Sequence, residues 1–261
     1  MFGQNLIVFP RTNIMIATTA GIDETFQNSA LYTIVERYFG TPYRPRAHMA
    51  PSPEKLAALR AAEPGYVMHN SDAYKYGGST EPLPDISGVY EVNGSDGYGL
   101  SILPELYQAV HNCFAEGLSL MAIRIDGDEG ELTTTEGQTA HTVKFGIGHE
   151  TPGCVTYGNE SILTSGRAYT VKSGKTVKVR ITITFPELPN IRYLTVEKKP
   201  GGISVKWEET PGYDFLYKLV DRSILGKLVL ADRKTKAVDA GFITRRVKYF
   251  LEPEIIMKKV R

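Results

Sequence analysis

Apolar positions along this chain keep two different rhythms, and the change from one to the other divides it. Before Gly117 they recur at helical three- and four-residue steps. Asp23 is placed to cap a helix whose stripe is Phe26, Ala30, Leu31, Ile34, Val35 and Tyr38, with Gly40 as the stop. Ser52 and Pro53 open a shorter helix over EKLAALRAA. A third starts at Pro104-Glu105 and runs to Gly117, with Leu106, Val110, Cys113 and Phe114 on one side. Two short strands, Leu6 to Phe9 and Ile14 to Thr18, precede the first helix, and Tyr66 to His69 and GVYEVN add brief strand patterns.

After about Ala140 the period drops to two. Val177, Val179, Ile181 and Ile183 alternate with Lys178, Arg180, Thr182 and Thr184, as in a strand with one wet face. Further strands are expected at Thr142–Ile147, Ser161–Thr164, Arg167–Val171, Ile191–Glu197, Ile203–Trp207, Phe215–Val220, Lys227–Leu230, Val247–Leu251 and Ile255–Met257. Leu118 to Ile125 is a strand that leads into an acidic turn at Asp126, Asp128, Glu129 and Glu131, read as the hinge between units. The pattern predicts an α+β chain, an N-terminal mixed α/β domain followed by a β-sandwich-like C-terminal region. Its divisions are 1–130, a β-rich segment at 131–188, and a small sandwich at 189–261.

Composition narrows the class. The 261 residues are 42% hydrophobic and 23% charged with a net charge of +1, so no global field draws the chain to nucleic acid or a membrane. The apolar run Leu6–Phe9 is too short for the core of a secretory signal. Cys113 and Cys154 give no disulfide framework, and a buried Cys113 in a reducing compartment is expected. Basic residues gather after Arg222, where they fit strand-edge protection or an acidic neighbour better than nucleic acid.

No stretch carries a catalytic or cofactor motif. The SGKT at Ser173–Thr176 lacks the first glycine of a phosphate loop and joins two strands, so it reads as a hairpin turn. The glycines of NGSDGYG lack the spacing of a dinucleotide fingerprint. The acidic turn has glycine and glutamate where a calcium loop needs an oxygen ligand and then glycine. Five histidines show no metal-ligand spacing, and His149 beside Cys154 lies in one short loop. No cofactor, metal or catalytic residue is assigned.

Two segments resemble known families. ELYQAVHNCFAEGLSLMAIRIDGDEG is similar to a stretch of phage contractile-tail sheath and related tail proteins, through Phe114, Gly117, Ile123 and Arg124. GGISVKWEETPGYDFLYKLV resembles the B–C region of fibronectin type III modules, through Trp207, Pro211 and Tyr217, with Tyr249 as a further core aromatic. The resemblances imply a non-enzymatic structural subunit of a phage virion, in the tail, baseplate or neck. It would be made in the host cytoplasm and would form a homo-oligomer contacting neighbouring virion proteins. Candidate assembly contacts are the terminal strands, Leu6, Ile7, Val8 and Phe9 at one end and Ile255, Ile256, Met257 and Lys258 at the other, acting by strand addition. The alternatives are a glycan- or surface-binding β-sandwich module with a platform drawn from Tyr66, Tyr74, Tyr76, Tyr90 and Tyr98, and an enzyme of an unfamiliar β-rich family.

Overall fold

The computed structural model describes residues 5–18, 29–40, 52–69, 78–79, 82–92, 100–213, 248–249 and 252–260. Before the main sheet come β1 (Asn5–Phe9), β2 (Ile14–Thr18), α1 (Ser29–Phe39) and α2 (Pro53–His69). The main sheet contains β3 (Gly78–Ser79), β4 (Gly88–Val92), β5 (Leu118–Asp126), β6 (Glu129–Glu136), β7 (Thr139–Ile147), β8 (Thr151–Tyr157), β9 (Glu160–Ser173), β10 (Thr176–Thr184), β11 (Ile191–Lys199), β12 (Gly202–Thr210) and β13 (Glu254–Lys259). A short helix, α3 (Glu105–His111), lies between β4 and β5 in sequence.

Nine of these strands close on themselves. Each pairs with the next in the order β4, β5, β6, β7, β9, β10, β11, β12, β13, and β13 returns to β4 through Met257–Val92 and Lys259–Tyr90. All pairings in the ring are antiparallel except β7 with β9, which closes it through Gly146–Arg167 and Ile147–Ala168. β8 pairs along the first half of β9, outside the ring. Closure gives every ring strand a neighbour on each side, though β7 meets β9 over only two residue pairs.

Period-two patterning decides what lies inside. Val179, Ile181 and Ile183 of β10, Ile203, Val205 and Trp207 of β12, Leu132 of β6, Phe145 of β7 and Met257 of β13 have no exposed surface, and Val143 has almost none. A void able to admit water beside these side chains would leave part of them accessible, so the barrel is filled, as small barrels are. On the outer wall, Arg180 bonds Glu208 and Thr195, each at 2.8 Å, and lies over the Tyr193 ring.

β9 pairs with β10 on one edge from Ser165 onward, and on its other edge changes partner after Gly166, from β8 to β7. A Cβ on Gly166 would strike the Lys144 carbonyl oxygen, which passes directly over it. This glycine allows the close approach that lets β7 and β9 meet in parallel.

The structure corrects the expected fold class. No separate α/β front exists among the described residues, because β4 and β5 belong to the same ring as β10 to β13. No two-sheet sandwich forms among them either, since β11, β12 and β13 are flanked by β10 and β4 of that ring. The acidic segment is no hinge: Gly127 turns the chain at φ +64° and β6 runs straight on, paired to β5 and β7. The third helix ends early, at Asn112 in the left-handed region, and leaves Cys113 and Phe114 exposed. Tyr66–His69 continues α2, whereas β6 and β8 form where no strand is expected. The Asp23 cap and the strands at 215–220 and 227–230 lie outside the described residues.

Gly166→Val should destabilise the fold by about 1–3 kcal/mol through backbone displacement at the closure. A fall in the urea midpoint with an unchanged transition slope would report it.

Candidate functional site

At one end of the barrel the inward columns change from hydrocarbon to charge. Val196 and Leu194 of β11 are followed by Arg192, and Val205 and Trp207 of β12 by Glu209. Leu132 of β6 is followed by Thr134 and Glu136, and Phe145 and Val143 of β7 lead back to His141. Arg192 and Glu209 are opposite each other in register, as are Thr134 and His141. All of these polar residues are buried. They surround a mouth that is filled by residues 100–108, whose Ile102 and Leu103 join the core.

The wall grips this plug mainly by its backbone. Arg192 donates from Nη2 to the carbonyls of Ser101 at 3.0 Å and Leu103 at 2.7 Å. Its Nη1 lies 2.9 Å from the Glu209 carboxylate, and its guanidinium sits over the Trp207 ring. Glu209 in turn accepts the N–H groups of Glu105 at 2.8 Å and Leu106 at 3.1 Å. Those are orphan donors of the first turn of α3, which Pro104 does not cap, so a distant strand caps the helix. Glu136 accepts the Ile102 N–H at 3.1 Å and the Thr134 hydroxyl at 3.0 Å through Oε1. The Tyr157 hydroxyl, stacked through its ring on His141, accepts the Leu103 N–H at 3.1 Å and bonds the Ser101 hydroxyl at 2.9 Å. Gln108 folds the plug onto itself by donating to the Leu103 carbonyl and accepting from the Ala115 N–H.

Two carboxylates, Glu105 and Glu209, face one guanidinium here, and the Glu136 charge also acts on Glu105. Burial pushes Glu105 up from about 4.5 to about 7; Arg192, 3.5 Å away, opposes the shift, and Glu209 and Glu136 add to it. Burial, followed by the Glu136 charge, also raises the Tyr157 phenol above its ordinary range. The arrangement can bind and orient a polar group. It presents no nucleophile paired with a base, and among the described residues no three His, Cys, Asp or Glu converge on a metal position.

The expected assembly residues fall in two different situations. Leu6 and Val8 are exposed on the β1–β2 hairpin, with Ile7 and Phe9 half-buried on its other face. β13 pairs with β12 along Glu254–Lys258 and with β4 over Met257–Lys259, so Met257 and Lys258 are already paired on both edges. Ile255 and Met257 point into the barrel, while Ile256 and Lys258 face out. Tyr90 is a core residue that donates to the Ile86 carbonyl at 2.7 Å, and Tyr74, Tyr76 and Tyr98 lie outside the described residues, so no tyrosine platform is formed among the described ones. The residues that converge at the mouth were missed because no local motif joins them. One signal was present: in IRYLTVEKK, GISVKWEET and EGELTTTE a charged residue sits in phase with the apolar positions near a strand end.

No protein-family model matches this sequence, and no characterised protein matches it. Solved structures similar to the chain include a tyrosine-to-phenylalanine mutant of the REP1-NXSQ fatty acid transporter, at 14% identity and a TM-score of 0.30, covering 67% of this chain and 98% of that one. The REP1-NXSQ fatty acid transporter itself is similar at 16% identity and a TM-score of 0.28, covering 48% and 88%. Apo lipid binding protein 8 of Caenorhabditis elegans is similar at 10% identity and a TM-score of 0.29, covering 50% and 91%. The barrel rests on the strand pairing of this chain and not on these likenesses. Both supports of the virion expectation fail in the fold. Phe114 is exposed outside the helix, and Trp207 belongs to a closed barrel while Tyr249 is exposed. The reading as a phage tail or baseplate subunit is therefore withdrawn.

Two outcomes test this network. Arg192→Met should cost roughly 3–5 kcal/mol by leaving Glu209 buried without its cation, and adding Glu209→Gln should recover part of it in equilibrium unfolding. The folded chain holds the Glu105 proton more tightly than the unfolded chain does, so this group's stabilisation is complete below pH of about 4.5 and is lost as pH rises through about 7. Stability measured against pH in wild type minus that in Glu105→Gln should fall across this window, by up to about 3 kcal/mol.

Proposed function

We propose that this chain is a non-enzymatic binding protein that takes a small apolar molecule at the barrel mouth, in the place of residues 100–103. One observation carries the reading: a ring of buried polar side chains around an apolar interior bonds the main chain of a segment that belongs to no strand of the barrel. Small-molecule sites combine an apolar lining with a few convergent polar groups in this way. Because the interior is full, the ligand does not enter a standing cavity. It replaces Ile102 and Leu103, and its apolar part has their combined bulk. The plug is a built-in competitor, and apparent affinity is scaled by the fraction of molecules in which it has left. The similar structures named above are described as fatty acid and lipid-binding proteins, which is a statement about those proteins.

Octanol, a neutral chain of suitable bulk, provides the test. Titrated into ¹⁵N-labelled protein, it should shift the amide resonances of Ile102, Leu103 and Leu106 and of the wall around Arg192 and Glu209. Leu103→Ala loosens the plug without touching the wall hydrogen bonds from side chains, and should bind about tenfold more tightly. Unmoved mouth resonances in both proteins at saturating octanol would overturn the proposal.

A further inference from the structure

The polar contacts at the mouth also specify a head group. The carbonyl of Ser101 and the N–H of Ile102 belong to one peptide group. Arg192 donates to that carbonyl at 3.0 Å, and Glu136 accepts that N–H at 3.1 Å. A single amide is therefore held at both of its poles by two wall residues, from β11 on one side and β6 on the other. Both wall residues are buried, Arg192 completely and Glu136 at 4% exposure. The second oxygen of Glu136, Oε2, has no hydrogen-bond partner among the described residues, and Nε2 of His141 lies 4.0 Å from it. When the plug leaves, Glu105 leaves with it. The wall then presents one guanidinium, Arg192, against two carboxylates, Glu209 and Glu136, and the guanidinium is already paired to Glu209 at 2.9 Å.

From this geometry we infer that the ligand of the mouth carries a neutral secondary amide, its carbonyl toward Arg192 and its N–H toward Glu136, with a short aliphatic chain on the nitrogen side. The inference rests on the binding reading above and names the ligand class of that same site. An ester of the same shape lacks the N–H and turns a lone pair toward the Glu136 carboxylate, which then keeps only its donors from Thr134 and Tyr157 and faces a repelling oxygen. A carboxylate adds a second negative charge in front of Glu136, and the guanidinium that could balance it is already committed to Glu209. A free fatty acid is therefore disfavoured on charge relative to a neutral amide.

The test compares N-octylacetamide, octyl acetate and nonanoate by calorimetric titration at neutral pH, in the wild type and in Leu103→Ala, with octanol as the reference. The amide should bind at least about tenfold more tightly than the ester, as expected for a hydrogen bond to a charged group, and more tightly still than the carboxylate. In Glu136→Gln the side-chain carbonyl still accepts an N–H, so the preference for amide over ester should persist while the penalty on nonanoate shrinks. Equal binding of amide and ester, or tightest binding of nonanoate, would overturn the inference while leaving the binding site in place. If none of the four compounds binds either protein, the binding reading itself falls and the inference with it.

Discussion

The fold turns on a guanidinium that has no water. Arg192 lies inside a barrel of hydrocarbon with no exposed surface, where an unanswered charge would cost several kcal/mol. Its answers come from two places at once. Glu209 stands opposite it on the neighbouring strand, and the carbonyls of Ser101 and Leu103 come from a segment about ninety residues away in sequence. One buried ion thus fixes the register of β11 against β12 and the seat of the plug on both. Glu209 extends the chain of dependence by capping α3, so the helix and the ion pair form together.

The barrel and its mouth hold by different physics. The wall is a closed ladder of main-chain hydrogen bonds around interlocked aliphatic side chains, and it has no edge to fray from. The plug is held by directional bonds from a few charged groups, with Leu100, Ile102, Leu103, Pro104 and Leu106 buried behind them. Hydrophobic packing tolerates small displacements, whereas a carboxylate left without its donor does not. The contrast gives the molecule an aliphatic frame and one polar seat that a segment of its own chain occupies. A third carboxylate, Glu105, sits at that seat, and its raised proton affinity comes first from burial, with the charges of Glu209 and Glu136 adding to it.

Particular residues show how much of this was legible in the sequence. The alternation in β10 gave its inward face, Val177 to Ile183, and the hairpin turn at Ser173–Thr176 formed as its glycine suggested, with Gly174 at φ +62°. β6 escaped notice because GELTTTE has only one large apolar residue, Leu132, and its inward positions are otherwise glycine, threonine and glutamate. Gly130 and Thr134 are small because Phe145 and the mouth network occupy the space they leave. Trp207 and its neighbours looked like a sandwich core because an inward aromatic on a two-residue period is the same pattern in a sandwich and in a barrel.

Local sequence determined many of the strands and turns, though not β6 or β8, because period, glycine and proline act within a few residues. It did not determine closure. The parallel contact of β7 with β9 depends on Gly166 lying under the Lys144 carbonyl, a meeting of two segments that no window contains. Nor did it reveal the mouth, since Ser101, Glu136, Arg192 and Glu209 acquire their chemistry only when the ring brings them out of water and into one another's reach. Charge on a chain is ordinary in solvent. Tertiary structure removed the solvent, and that turned four scattered polar residues into a site.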